Sequence, residues 1–144
     1  MTDAFEIVRF ELKRSIGQLD KGHRFHVIFF SAGPPLELPP CQFVMATEHN
    51  KQAACEFIDS VTADGGTDPT EALKRAFEMQ PDFIYFLSDG DYDVDGLIAM
   101  SRNLNAEHKT VLHAIVFLNP VGGEELKRLA DANGGWYKFI SETD

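Results

Sequence analysis

No apolar run in this chain approaches the ~18 residues that cross a bilayer, and its start lacks the charged-then-apolar pattern of a secretory leader. A soluble segment with no membrane contact is expected. Basic residues are scarce: 13 Lys and Arg stand against 23 Asp and Glu, a formal charge of -10. Nucleic acid and anionic membranes are recognised by basic faces, so neither is an expected partner. A cation or a basic protein suits the charge better. The 2 cysteines, Cys41 and Cys55, have neither metal-ligand spacing nor a disulfide framework, and are read as reduced thiols. No two of the 5 histidines share a helix face at ligand spacing, which argues against zinc. The G-x-x-x-x-G-K-[ST], G-x-G-x-x-G and G-x-S-x-G patterns are all missing, leaving nucleotide binding and a serine nucleophile without support.

What is present is an ordinary globular composition. A chain of 144 residues, 44% hydrophobic, is one domain spanning residues 1–144, long enough for a three-layer core. Apolar residues at Phe5, Val8, Leu12, Ile16 and Leu19 form one stripe of an amphipathic helix over residues 3–19, with Thr2 or Asp3 as its cap. The run FHVIFFS, Phe25 to Ser31, reads as a buried strand. Four prolines exclude a helix from GPPLELPP at 33–40, where a short edge hairpin with Phe43 and Val44 is expected. A helix from Glu48 to Val61 turns Ala53, Ala54, Phe57, Ile58 and Val61 inward.

The second half repeats a strand–helix rhythm. Asp68-Pro69-Thr70-Glu71 reads as a helix start, with Asp68 as N-cap and Pro69 at the first helical position. That helix stops before Pro81. Buried strands are expected at 83–88 and 110–118, helices at 94–106 and 122–133, and a last strand at 136–140. Strands separated by helices of this length imply parallel crossovers, hence an α/β fold. A doubly wound sheet normally begins with a strand, whereas this sequence opens on a helix, so the fold is expected to be incomplete.

Two segments carry the chemistry. In ADGGTDPTEAL, residues 63–73, Gly65 and Gly66 permit a tight turn ahead of a helix N-terminus, and Thr67 and Asp68 offer hard oxygen atoms. The bland alternative makes Asp68 a helix cap and Thr67 incidental. In LSDGDYDVDG, residues 87–96, Ser88 and Asp89 fall at the carboxyl end of a strand, where open α/β sheets bind ligands. A solvated acidic turn is the alternative. Asp91, Asp93, Asp95 and Gly96 also match the opening of a calcium loop, but its twelfth position, normally a bidentate Glu, is Arg102. His26 and His113 lie inside apolar strands and are read as hydrogen-bonded positions, not ligands.

Taken together, GGTDP and the FIYFLSDG strand at this separation resemble the von Willebrand factor type A domain, and the likeness runs along nearly the whole chain. It implies a three-layer, doubly wound, mainly parallel Rossmann-like sheet that here lacks its first central strand. It also implies a metal-ion-dependent adhesion site for Mg²⁺, with Thr67 and Asp89 as metal ligands and Gly66, Asp68, Ser88 and Asp91 in supporting or capping roles. The family's D-x-S-x-S motif, which follows its first strand, does not occur upstream of Thr67. In many bacterial members that motif ends in Met and passes directly into the first helix, so the resemblance implies that Met1 stands at that Met and the missing strand lies upstream.

On this reading the chain is a protein–protein interaction module and not an enzyme. Two ligands are too few for firm Mg²⁺ binding, so metal binding is expected to be weak or absent. The ligand is a protein of unspecified identity. The flanking strands FHVIFFS and FIYFLS are expected either to pair with each other or to associate with another chain, as in a homodimer through exposed sheet edges. The alternative is a Mg²⁺-dependent α/β hydrolase or phosphatase-like enzyme using Asp89 and Asp91.

Overall fold

A computed structural model describes residues 4–30, 35–61, 68–88, 94–106, 110–117 and 123–140. The expected caps Thr2 and Asp3 lie outside these residues. Helix α1 (Ala4–Gly17) is followed by four two-residue strands: β1 (Arg24–Phe25), β2 (Ile28–Phe29), β3 (Leu36–Glu37) and β4 (Val44–Met45). Then come α2 (Glu48–Ser60), α3 (Thr70–Glu78), β5 (Phe83–Ser88), α4 (Val94–Leu104), β6 (Val111–Phe117), α5 (Gly123–Ala132) and β7 (Tyr137–Ile140). No helix among the described residues is long and apolar enough to cross a membrane.

The main sheet is parallel, in the order β5-β6-β7. Phe83 pairs with Val111 and Ser88 with Val116, while β7 covers only the carboxyl half of β6, from Ala114↔Tyr137 to Phe117↔Ile140. One face is buried under α3, α4 and α5. Leu73 and Phe77, Val94, Leu97 and Ile98, and Leu126, Leu129 and Ala130 pack there on Ile84, Phe86, Leu112, Ala114 and Val116. Alternation along each strand supplies the sheet's contribution. On the opposite face Ile7 and Val8 of α1 cover Leu87, Ile115 and Ile140. This is the expected three-layer α/β architecture.

FHVIFFS departs from expectation. Its described residues, 25–30, form not one strand but parts of two short bridges, β1 to β4 and β2 to β3, both antiparallel. The cause lies in the opposing chain. Between β3 and β4 it carries Pro39 and Pro40, which have no N–H to donate, and it folds into a turn where Cys41 N–H donates to Leu38 O at 2.8 Å. The ladder breaks opposite that turn, leaving one link in which Leu38 N–H donates to Val27 O at 3.0 Å. These hairpins share a second core with α1 and α2, built on Ile16, Phe25, Val27, Phe29, Leu38, Ala46, Ala54, Ile58 and Val61. Ala53, expected inward, is exposed; its neighbour Ala54 takes the core position.

The direct pairing of FHVIFFS with FIYFLS does not form among the described residues. Between them the Phe30 and Phe86 rings meet edge-on at 5.8 Å. Strand β5 was also expected to be buried on both faces, yet Phe83 is 55% and Tyr85 49% exposed. Helix α1 reaches only the carboxyl half of that face, so the amino half stays open.

The amino end of the sheet is fastened by a polar cluster. Asn133 Nδ2 donates to Ser101 Oγ at 2.9 Å and to Leu129 O at 3.0 Å. Asn105 Nδ2 donates to Asn133 Oδ1 at 3.0 Å and to Thr110 O at 2.8 Å. The ends of α4 and α5 are thereby tied to the start of β6.

Candidate functional site

Helix α3 is the element that fixes the ligand end of the sheet. Met79 N–H donates to Arg75 O at 3.1 Å and Gln80 N–H to Phe77 O at 3.0 Å, closing the helix. Only a short turn then separates it from β5. A helix packed on a strand that begins so soon after it must run back along the strand. The α3 N-terminus therefore lies at the carboxyl end of β5, the end that carries Ser88.

At that N-terminus Asp68 is exposed, and its Oδ1 accepts the Thr70 backbone N–H at 3.0 Å. Hydrogen bonds from Thr70, side chain first and backbone second, hold the Asp68 carboxyl below its ordinary range. The cap is offset by one residue from expectation: Pro69, not Asp68, is the N-cap, and the helix begins at Thr70. The reason is geometric, since Leu73 N–H donates to Pro69 O at 2.9 Å as the first helical bond. Asp68 thus reaches over Pro69 to the first helical residue, Thr70. The expectation of Asp68 as N-cap is corrected: it precedes the cap, and its carboxylate binds the backbone of the first helical residue.

Ser88 closes β5 and is buried, 4% exposed, with Val116 as its neighbour in register. At the same end Tyr137 packs against the start of α5, where a Cβ on Gly123 would lie 2.2 Å from the Tyr137 hydroxyl. Burial, and then the charge of Glu124, push the Tyr137 phenol above its ordinary value. Of the residues read as site residues, Asp68 and Ser88 are thus described at one end of the sheet. Thr67, Asp89, Gly66 and Asp91 lie outside the described residues, one to three positions along the chain from those two.

The calcium-loop reading meets an obstacle here. Asp95 and Gly96, its fifth and sixth positions, lie within helix α4, and Asp95 Oδ1 accepts from Arg128 Nη2 at 2.8 Å. A calcium loop needs a turn at that glycine. Among the described residues no three His, Cys, Asp or Glu side chains converge as a metal cluster. The donors described here therefore do not make up the oxygen set that Mg²⁺ requires; Asp68 already accepts a backbone donor.

Two features were not visible in the sequence. His26 Nε2 lies 2.8 Å from Glu37 Oε1, and Arg75 Nε donates to the same carboxylate at 3.1 and 3.2 Å. Burial acts to raise the Glu37 pKa, but hydrogen bonds from His26 and Arg75 outweigh it and hold the carboxyl below its ordinary value. This links the β2–β3 hairpin to α3. The second feature is an aromatic group at the amino half of the sheet, Phe83, Tyr85, His113 and Trp136. The histidines' reading as hydrogen-bonded positions holds for both: His26 meets Glu37, and His113 Nδ1 accepts the Trp136 backbone N–H at 3.0 Å.

Comparison with known proteins follows the same outline. The family model described as von Willebrand factor type A domain matches residues 5–139. A search among curated proteins found no match. Among solved structures, a von Willebrand factor type A protein from Catenulispora acidiphila is similar, with a TM-score of 0.75 at 21% sequence identity. The alignment covers 94% of this chain and 34% of that one, so the chain spans about a third of that protein's length. At this identity the likeness establishes the fold.

Proposed function

This chain belongs to the von Willebrand factor type A family, and from that premise we propose that it is a protein-binding module, not a catalyst. Its ligand face is the carboxyl end of the parallel sheet. The observation that carries this reading is the meeting, at that end, of the α3 N-terminus with Asp68 and of the β5 terminus with Ser88. These residues adjoin Thr67 and Asp89 along the chain, the two oxygen donors proposed to contact Mg²⁺.

A bound Mg²⁺ would supply an electrophilic centre for a carboxylate of the partner protein, which is binding chemistry. The ion demands near-octahedral oxygen coordination and keeps several waters. Thr67 and Asp89 alone provide one formal negative charge and two donors, so the affinity proposed is weak. The net charge of -10 favours a cation and a basic partner surface.

Titration with MgCl₂, followed by backbone amide NMR, tests the proposal. Expected are shifts concentrated around Asp68 and Ser88, a midpoint in the millimolar range, and loss of the response in Asp89→Ala. A micromolar midpoint would overturn the weak-site reading, and shifts confined to the amino end of the sheet would overturn the ligand face. Hydrolysis of an aryl phosphate with Mg²⁺, abolished by Asp91→Asn, would replace binding with catalysis.

A further inference from the structure

Helices α4 and α5 pack side by side on the sheet, and an open groove of about 460 Å³ runs between their outer faces. Each wall is a stripe at helical spacing: Asp95, Ile98, Ala99 and Arg102 on α4, and Arg128, Asp131 and Ala132 on α5. Buried Ile98 forms the floor, and the small side chains of Ala99 and Ala132 leave the space above it.

The charges along the groove do not cancel. Asp95 Oδ1 accepts from Arg128 Nη2 at 2.8 Å, and Asp131 Oδ2 accepts from Lys127 Nζ at 3.1 Å, so both acids are matched. Arg102 is exposed, and among the described residues no carboxylate pairs with it. One guanidinium is left over, in a chain where acids outnumber bases 23 to 13. As a base in the last turn of α4 it also suits the helix dipole, but that role asks for no groove beside it.

We propose that this groove docks an amphipathic helix of a partner protein, net basic, with a single Glu or Asp in its apolar stripe. The apolar residues of that stripe cover Ile98, Ala99 and Ala132, and the acid lies about one turn further along, at Arg102. A helix fits where a strand does not. Midway along α4 and α5 the backbone groups are committed within each helix, so an extended segment would find no partners for its own. A helix satisfies its own backbone and brings only side chains. Alanine on both walls lets its axis come close.

Charge selects the occupant at two ranges. The net charge of -10 attracts a basic helix from a distance. At contact, Arg102 holds a carboxylate through two parallel N–H···O bonds, which sets the direction and register of the helix as well as its identity. This surface is formed by α4 and α5 alone, so it does not depend on a metal at the carboxyl end of the sheet.

Selection from a display library of helical peptides randomised along one face, in buffer containing EDTA, tests the proposal. Enriched peptides should be net basic and carry an apolar residue three or four positions from a Glu or Asp. The most enriched peptide, once synthesised, should shift the NMR amide signals of Ile98, Ala99, Arg102 and Ala132. Arg102→Glu should weaken its binding at least about tenfold, and exchanging the peptide's acid for Lys should restore binding to that variant. Ala99→Gln, which fills the groove without adding charge, should weaken binding as well. Both substitutions fall at exposed positions, where the fold tolerates them. No enrichment, enriched peptides without the acid, shifts confined to Phe83 and Tyr85, or a charge exchange that fails to restore binding would overturn the proposal. Because EDTA removes the ion, these outcomes are independent of the Mg²⁺ titration.

Discussion

The imidazole of His113 lies parallel to the indole of Trp136, ring centres 4.2 Å apart and planes inclined by 18°, while its Nδ1 accepts the Trp136 backbone N–H at 3.0 Å. Phe83 stacks on the other side at 5.8 Å. The ring is thus pinned between two aromatics, with one nitrogen committed as an acceptor. A proton on Nδ1 would set two N–H groups against each other.

The pH dependence follows from this. Burial lowers the His113 pKa from its ordinary 6.5. A group whose folded pKa is depressed stabilises the fold above its unfolded pKa, and that stability is lost as pH falls through the folded value. Urea midpoints should therefore begin to fall as pH drops below about 6.5. Titration of the His113 ring by NMR should give a midpoint below the ordinary 6.5. A midpoint at or above the unfolded value would contradict the geometry.

Glu37 governs a lower window by the same sign. Its depressed pKa contributes stability that is present above about 4.5 and lost as pH falls further. Glu37→Leu removes the acceptor shared by His26 and Arg75 and should cost about 1–3 kcal/mol at neutral pH, read from urea unfolding. Arg75→Leu, at a more exposed position, should cost about 1 kcal/mol or less. A neutral Glu37→Leu would mean that the linkage between hairpin and α3 contributes nothing.

Two glycines should respond to alanine with opposite signs. A Cβ on Gly135 would lie 1.8 Å from Leu112 O, a backbone atom with nowhere to move, so Gly135→Ala should destabilise by more than about 3 kcal/mol or prevent folding. Gly96, within helix α4, has nothing within 4 Å of its Cβ position. Gly96→Ala should stabilise by about 0.5–1 kcal/mol through helix propensity. Thermal or urea unfolding of the two variants reads both predictions, and a loss in Gly96→Ala would contradict the second.

Much of the architecture could be read from local pattern. The stripe from Phe5 to Leu19, the break before Pro81 and the alternation of strands with helices from Phe83 onward each follow from a backbone period or a missing donor, and these are properties of neighbouring residues. The same is true of Asp68 and Ser88, which chain order sets at the carboxyl end of the sheet. The observed elements α4, β6, α5 and β7 fall within two residues of their sequence-based bounds.

What the tertiary structure alone decided depends on partners distant in sequence. Alternation along FIYFLS says that Phe83, Tyr85 and Leu87 share a face, but only the reach of α1 decides that Leu87 is covered and the two rings are open. Nothing local to FHVIFFS breaks it; the two prolines opposite do, by withholding donors. Nor does any motif join His26 to Arg75 or His113 to Trp136. Local sequence fixes the period and direction of each element, because backbone geometry is set within a few residues. Which faces meet, and which stay open to a partner, is settled only when separate elements compete for the same apolar surface.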